Sequence, residues 1–431
     1  MIASTLTPPL RRAVSTYTGI VRSVEECLPT SAEPRLFRAT CDVRGGAELV
    51  GSGLAHCSGI GGAGTTRAAA AAAAVGEALE RYSASFVPLE RLVVASAREL
   101  GGRAVAPERF ALFSKAQHAT PGFPFRPFTA DARVAWVEGR ALATGDPAWL
   151  PAELVFLGDA GAGERPVGYA TSSGAACAET AADATARGLC EVLERDAFMI
   201  VWAGRLSMPR LDWSGDRELV ELDRRYFAPT GLEYAAIDLS PFHGVPSVLG
   251  VVRAPAGLPG ALGIGAGTAA TIGRAWFKAL AEAFAARSAG AKLELLHAEG
   301  RAGDRVASFE DHIRYYADAE RAEAAAFLDR SDALTPAHRI QPLRGDPVTA
   351  LSERIAAAGS SAYAVDVTSP DVAAIGLVVT KVIAPELCAL DVVDAARFLG
   401  GSRLYEVPAA LGLHDHVLSE DELNPYPHPF P

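Results

Sequence analysis

The spacing of apolar and polar positions changes several times along the 431-residue chain. From Gly19 to about Leu54 the two alternate, with β-branched residues among them, which predicts strands. A helix is predicted from Thr65 or Thr66 to about Phe86. It follows a glycine-rich turn at residues 59–64 and contains seven consecutive alanines, Ala68 to Ala74, alanine being the strongest helix former. Proline-punctuated loops and short apolar runs then predict a meandering sheet to about Arg165. The layout of a Gly/Ser turn followed by an alanine-rich helix returns at Thr171–Arg205 and again over residues 263–290. Residues 309–331 read as one amphipathic helical segment, and residues 361–369 and 375–385 as two buried strands. In the final ELNPYPHPFP, alternate prolines forbid both helix and ladder pairing.

These elements predict an α+β fold, a single domain with a mixed or antiparallel sheet against which the three alanine-rich helices pack together, since alanine lets helices approach closely. Residues 1–18 read as a loosely held N-terminal arm, 19–420 as the domain and 421–431 as a proline-rich tail. The tail has little apolar surface, so its removal is expected to leave the melting temperature nearly unchanged.

Composition narrows the function classes. With 49% hydrophobic and 21% charged residues the chain can bury an ample core. Fifty-one Asp and Glu against 40 Lys and Arg give a net charge of −11, and no basic stripe offsets it, so nucleic-acid binding is not expected. Neither a signal segment nor a long apolar run is present, so no membrane association is expected. The six cysteines lie far apart without metal-ligand spacing, which fits a reducing cytoplasm. Cys177 and Cys190 read as small buried residues, and His56, His243 and His428, near Gly or Pro turns, receive no role.

The candidate chemistry lies in a repeated word. GEALERY places Glu77, Glu80 and Arg81 on the first alanine-rich helix, and CEVLERD places Glu191, Glu194 and Arg195 on the second. Glutamates three apart share a helix face, and each ionised carboxylate turned inward needs a partner or a metal. The third helix adds Glu282, with Lys278 one turn earlier. These five carboxylates are expected to line one cavity as a hard-cation site suited to Mg2+, which completes its shell with water and phosphate oxygens. A di-iron site would want Glu-x-x-His, which neither word supplies. The three glycine-rich words could offer backbone N–H groups to phosphate at helix N-termini, or could simply be tight turns. Gly59, Gly61 and Gly64 formally spell GxGxxG, a weak dinucleotide alternative because the helix that follows is too long for the usual crossover.

At these residues the sequence resembles the YcaO family of ATP-dependent cyclodehydratases, from about Gly19 to Pro431. Glu77, Glu80 and Arg81 match the family's first motif, Glu191 and Glu194 the second, and Glu282 the third. TSSGAA, ERDAFMIVW, RYYADAERAEAAAFLD and GLVVTKVIAPEL support the match. Ala73, Ala285 or Ala286, and Ile60 stand where the family has Ser, Gln and Lys. The resemblance implies ATP and Mg2+ as cofactors, with Glu77, Glu80, Glu191, Glu194 and Glu282 as metal and triphosphate ligands and Arg81 and Arg195 as phosphate clamps or carboxylate orienters. It implies a ribosomally made precursor peptide as substrate, in which Cys, Ser or Thr is cyclised to an azoline. Pro431, ending the Pro-x-Pro-x-Pro tail, is then the candidate catalytic carboxylate. A homodimer and a separate E1-like or ThiF-like leader-recognition protein are implied as partners, the isolated chain being expected to act slowly. Backbone thioamidation, macroamidine formation and a non-catalytic peptide-binding scaffold are the alternatives.

Overall fold

Three antiparallel strands open the chain: β1 (Val21–Cys27), β2 (Phe37–Val43) and β3 (Gly61–Gly64), in that order. The structure is a computed structural model that describes residues 2–44, 60–161, 165–296 and 305–430. A second sheet runs β4-β5-β13-β14-β7, built from Val93–Ala95, Val134–Ala141, Tyr363–Asp366, Val378–Ile383 and Ala175–Ala178, with β6 (Pro147–Pro151) on β5. A third sheet runs β11-β10-β9-β8-β12, from Leu262–Thr268, Ser247–Arg253, Glu233–Asp238, Arg210–Asp212 and Leu334–Pro336. Among the described strand ladders only β8 with β12 is parallel. The doubly wound parallel sheet of a dinucleotide-binding fold is therefore absent from the described residues, and the fold is α+β.

The three long helices connect these sheets. Helix α1 (Arg67–Ser85) lies on β2 and β3 and reaches β7 and β14, and α2 (Ala181–Ala203) lies on β7 and β14 and reaches β11. Helix α3 (Ile272–Leu296) covers β10 and β11. Thr66 and Thr180 cap the first two, each accepting the backbone N–H three residues on, from Ala69 and Asp183. Helix α2 thus stands between the other two.

The glycine-rich words take a different form from that expected. Gly61–Gly64 is strand β3, and residues 263–268 lie within β11, while only Gly174, at φ +82°, forms a turn before its strand. Gly59 lies outside the described residues. The reason is close packing of strand against helix. A Cβ at Gly62 would stand 2.4 Å from the Ala74 nitrogen, and one at Gly267 2.2 Å from the Ala275 oxygen. Bare glycine faces let the strands lie directly on alanine helices.

Two further expectations change. The amphipathic segment breaks after α4 (Phe309–Ala317), because Asp318 adopts extended backbone and caps a short new helix at Ala319–Ala322. The tail is no surface arm: Asn424, His428 and Phe430 are buried, and Phe430 belongs to the same apolar cluster as Phe198, Trp202 and Ile264. Near the other terminus, Leu6 and Ala13 pack in the cluster that holds Val75 and Leu79 of α1. No helix among the described residues is long and apolar enough to cross a membrane.

Candidate functional site

Glutamates of the three helices lie near enough to influence one another's protonation. On α1, Glu77 pairs with Arg81 at 2.7 Å. Burial pushes Glu77 above its ordinary pKa against the pull of Arg81, and Glu191 of α2 adds to the rise. Glu80 is pushed well above the carboxylate range by burial first and then by Glu191 and Glu77. The first two helices therefore present three carboxylates that repel one another.

On α2, Glu191 accepts the Gly174 N–H at 3.2 Å and pairs with Arg195 at 3.2 Å. Glu194, 1% exposed, accepts the Thr268 N–H from the end of β11 at 2.8 Å and takes Lys278 of α3 at 2.9 Å. Lys278 also stands 3.7 Å from Glu282. Burial pushes the Glu282 carboxyl up to about 7, opposed by Lys278 and reinforced by Glu194. Burial works against the Lys278 charge, but Glu194, Glu282 and Glu191 outweigh it and raise its pKa.

Two cations of this cluster are assigned no role from the sequence. Lys278 is noted there only for its place one turn before Glu282, and Lys381 is not noted at all. Lys381 is 2% exposed on β14 and donates to the carbonyls of Thr171 and Ser173. Burial lowers its pKa to about 8, against the attraction of Glu191 and Glu80. No sequence signal marks it beyond a charge inside VVTKVI, where a strand buried on both faces should carry none.

Arg195 and Lys381 both line a cleft walled by Phe110, Tyr169, Val192 and Phe398. Arg195 Nη1 is buried without a hydrogen-bond partner, and the Phe430 ring stacks on its guanidinium with 3.9 Å between Cζ and the centroid. Behind Arg195, Asp196 is fully buried and accepts from Arg403 at 2.6 and 2.8 Å and from the Cys388 N–H at 2.8 Å, with His243 Nε2 2.9 Å away. His243, given no role from the sequence, stands against this carboxylate. His56, Cys57 and Pro431 lie outside the described residues.

Among the described residues no three His, Cys, Asp or Glu side chains stand close enough to hold an ion as they are arranged. The donor set nonetheless fits a hard cation. Every candidate donor is a carboxylate oxygen, and the five carboxylates are accompanied by four cations, Arg81, Arg195, Lys278 and Lys381. The raised values at Glu77, Glu80 and Glu282 mark negative charge that an added cation would relieve.

Residues 61–388 match the family model described as YcaO cyclodehydratase, ATP- and Mg2+-binding. A solved heterocyclase in complex with substrate and cofactor superposes with a TM-score of 0.81 at 25% identity, covering 98% of this chain and 57% of that one. The heterocyclase TruD gives 0.66 at 27% identity over 83% of this chain and 50% of its own. YcaO from Methanopyrus kandleri, bound with AMPPCP and Mg2+, shares the fold at 0.57 and 21% identity, with 85% and 86% covered. An uncharacterised protein of Methanothermobacter thermautotrophicus is 29% identical over 192 residues, 44% of this chain and 46% of that protein. The chain thus spans about half the length of the two heterocyclases and under half of this curated relative.

Proposed function

This chain belongs to the YcaO family, whose domain binds ATP and Mg2+, and we propose that it cyclodehydrates Cys, Ser or Thr in a ribosomally synthesised precursor peptide to thiazoline or oxazoline. The observation that supports the reading is the mutual electrostatic influence of Glu77, Glu80 and Glu191, and of Glu191, Glu194 and Glu282, across three helices, together with a cleft lined by Arg195 and Lys381. In this reading the five glutamates hold Mg2+, and Arg81 and Arg195 orient carboxylates or phosphate oxygens. Bound ATP supplies a phosphoryl group that turns the amide oxygen into a leaving group, its charge shielded by Mg2+. The side chain of the substrate residue attacks the preceding carbonyl, and its proton passes to a base for which the Pro431 carboxylate is the candidate.

The partners proposed are the precursor peptide, a second copy of the chain and an E1-like or ThiF-like leader-recognition protein. Ala73 and Ala285 or Ala286, standing where polar groups would orient ligands, favour a second reading as a peptide-binding scaffold without catalysis. One experiment separates the two. The chain, incubated with Mg2+, ATP, peptide and recognition protein, should consume ATP only when peptide is present, and the peptide should lose one water per ring by mass spectrometry. Glu191→Gln should lower that rate about 100-fold or more, as loss of one preorganised charge contact does. Peptide bound without ATP turnover would favour the scaffold.

A further inference from the structure

Four carbonyls of the last described residues are held by side chains. Pro425, Pro427 and Pro429 have no N–H, so the segment cannot join a ladder and its buried acceptors need donors from elsewhere. Arg397 Nη1 donates to the Asn424 carbonyl at 2.8 Å, Trp202 Nε1 to that of Tyr426 at 3.1 Å, and Tyr316 Oη to that of Pro427 at 2.5 Å. His312 Nδ1 stands 2.6 Å from the His428 carbonyl, and its Nε2 2.9 Å from the Val392 carbonyl. The His428 ring stacks on His312 with 4.0 Å between centroids and 10° between planes. Its Nε2 is 2.7 Å from the Asp391 carbonyl, and its Nδ1 accepts the Phe430 N–H at 3.1 Å. The path ends at Phe430, 1% exposed, with Phe198 4.9 Å away and the Arg195 guanidinium over the ring. Arg195 in turn reaches Glu191 and lines the cleft.

We infer that Tyr316 and His312, one helical turn apart on α4, are positioning residues that fix the Pro427 and His428 carbonyls so that Phe430 holds the Arg195 guanidinium against Glu191 at the mouth of the cleft. The inference rests on the reading of Arg195 as a group of the proposed site. Free rotation would let a half-paired arginine leave the cleft, and a flat ring beneath it restricts that motion at no cost in hydrogen bonds. The ring cannot do so unless its own backbone is anchored, and proline-rich chain offers only carbonyls for anchoring. A neutral His312 donates to one of its two carbonyls, whereas Tyr316 has a single acceptor, so Tyr316 gives the simpler test.

Hydrogen exchange in the ligand-free chain reads the anchoring. Tyr316→Phe keeps the ring and should speed exchange of the Phe430 amide roughly fivefold, the worth of one hydrogen bond, while the Leu249 amide in β10 stays protected. His312→Phe keeps the stacking partner and should do the same. In an Arg195→Lys background, which weakens the stack, the Tyr316→Phe effect should shrink to less than about half, since residues acting through one contact are not additive. Additive effects, or unchanged Phe430 exchange, overturn the inference. Binding of Mg2+ and AMPPCP by the parent chain is measured separately. Its absence would overturn the nucleotide reading of the site while the exchange cycle still decides whether the tail holds Arg195.

Discussion

Asp196 shows how one residue can serve a site without facing it. Burial alone would raise its pKa, but hydrogen bonds and charge from His243 and Arg403 outweigh burial and hold the carboxyl below its ordinary range. A folded pKa below the unfolded value of about 4 means that the unfolded chain binds the extra proton. The stabilisation is therefore complete above about pH 4 and is lost as pH falls below it. Asp196→Asn should cost about 3–5 kcal/mol, because Arg403 is left buried and unpaired, and should flatten the acid limb of stability against pH in urea titrations. Stability unchanged at pH 7 would show the ion pair to be dispensable. At this scale the Glu-x-x-Glu-Arg words were legible because they repeat. Lys381 was not, because a lone lysine carries no spacing, and only the folded strand brings it within the influence of Glu80 and Glu191; Lys278 was visible one turn from Glu282, but not its pairing with Glu194 on another helix.

The helices were legible as elements, since alanine runs and threonine caps act locally. The glycine words misled because glycine suits both a turn and a close approach. Gly263, Gly265 and Gly267 recur at period two, which bares one face of β11, and Ala275, Ala279 and Ala283 recur at period four on the helix that covers it. Matching those two periods in the sequence would have revealed the strand. Gly265→Ala tests the packing: its Cβ would stand 2.4 Å from that of Glu282 and 2.5 Å from the Ala283 nitrogen. Overpacking of this kind costs about 1–3 kcal/mol, and by pushing α3 away it should also weaken Mg2+-dependent nucleotide binding. A variant as stable as the parent in thermal unfolding would show that strand and helix can part freely.

For the whole molecule, the tail changes the account most. Its proline pattern ruled out helix and ladder, as found, yet composition could not show that side chains of three other segments would line its path. Pro427, His428, Pro429 and Phe430 are all buried. Deleting residues 427–431 should therefore lower the melting temperature markedly, since truncating a buried Phe alone costs about 3–5 kcal/mol. A melting temperature equal to the parent's would restore the tail to the surface. The central claim is that carboxylates from three helices form one Mg2+-dependent nucleotide site, and calorimetric titration of AMPPCP into the chain tests it most directly. The account predicts saturable binding, with Kd roughly between micromolar and millimolar as for ordinary enzyme substrates, abolished by omitting Mg2+ and by Glu191→Gln or Glu194→Gln. Binding that persists without Mg2+ and in both variants, or no binding by the parent chain, would contradict it.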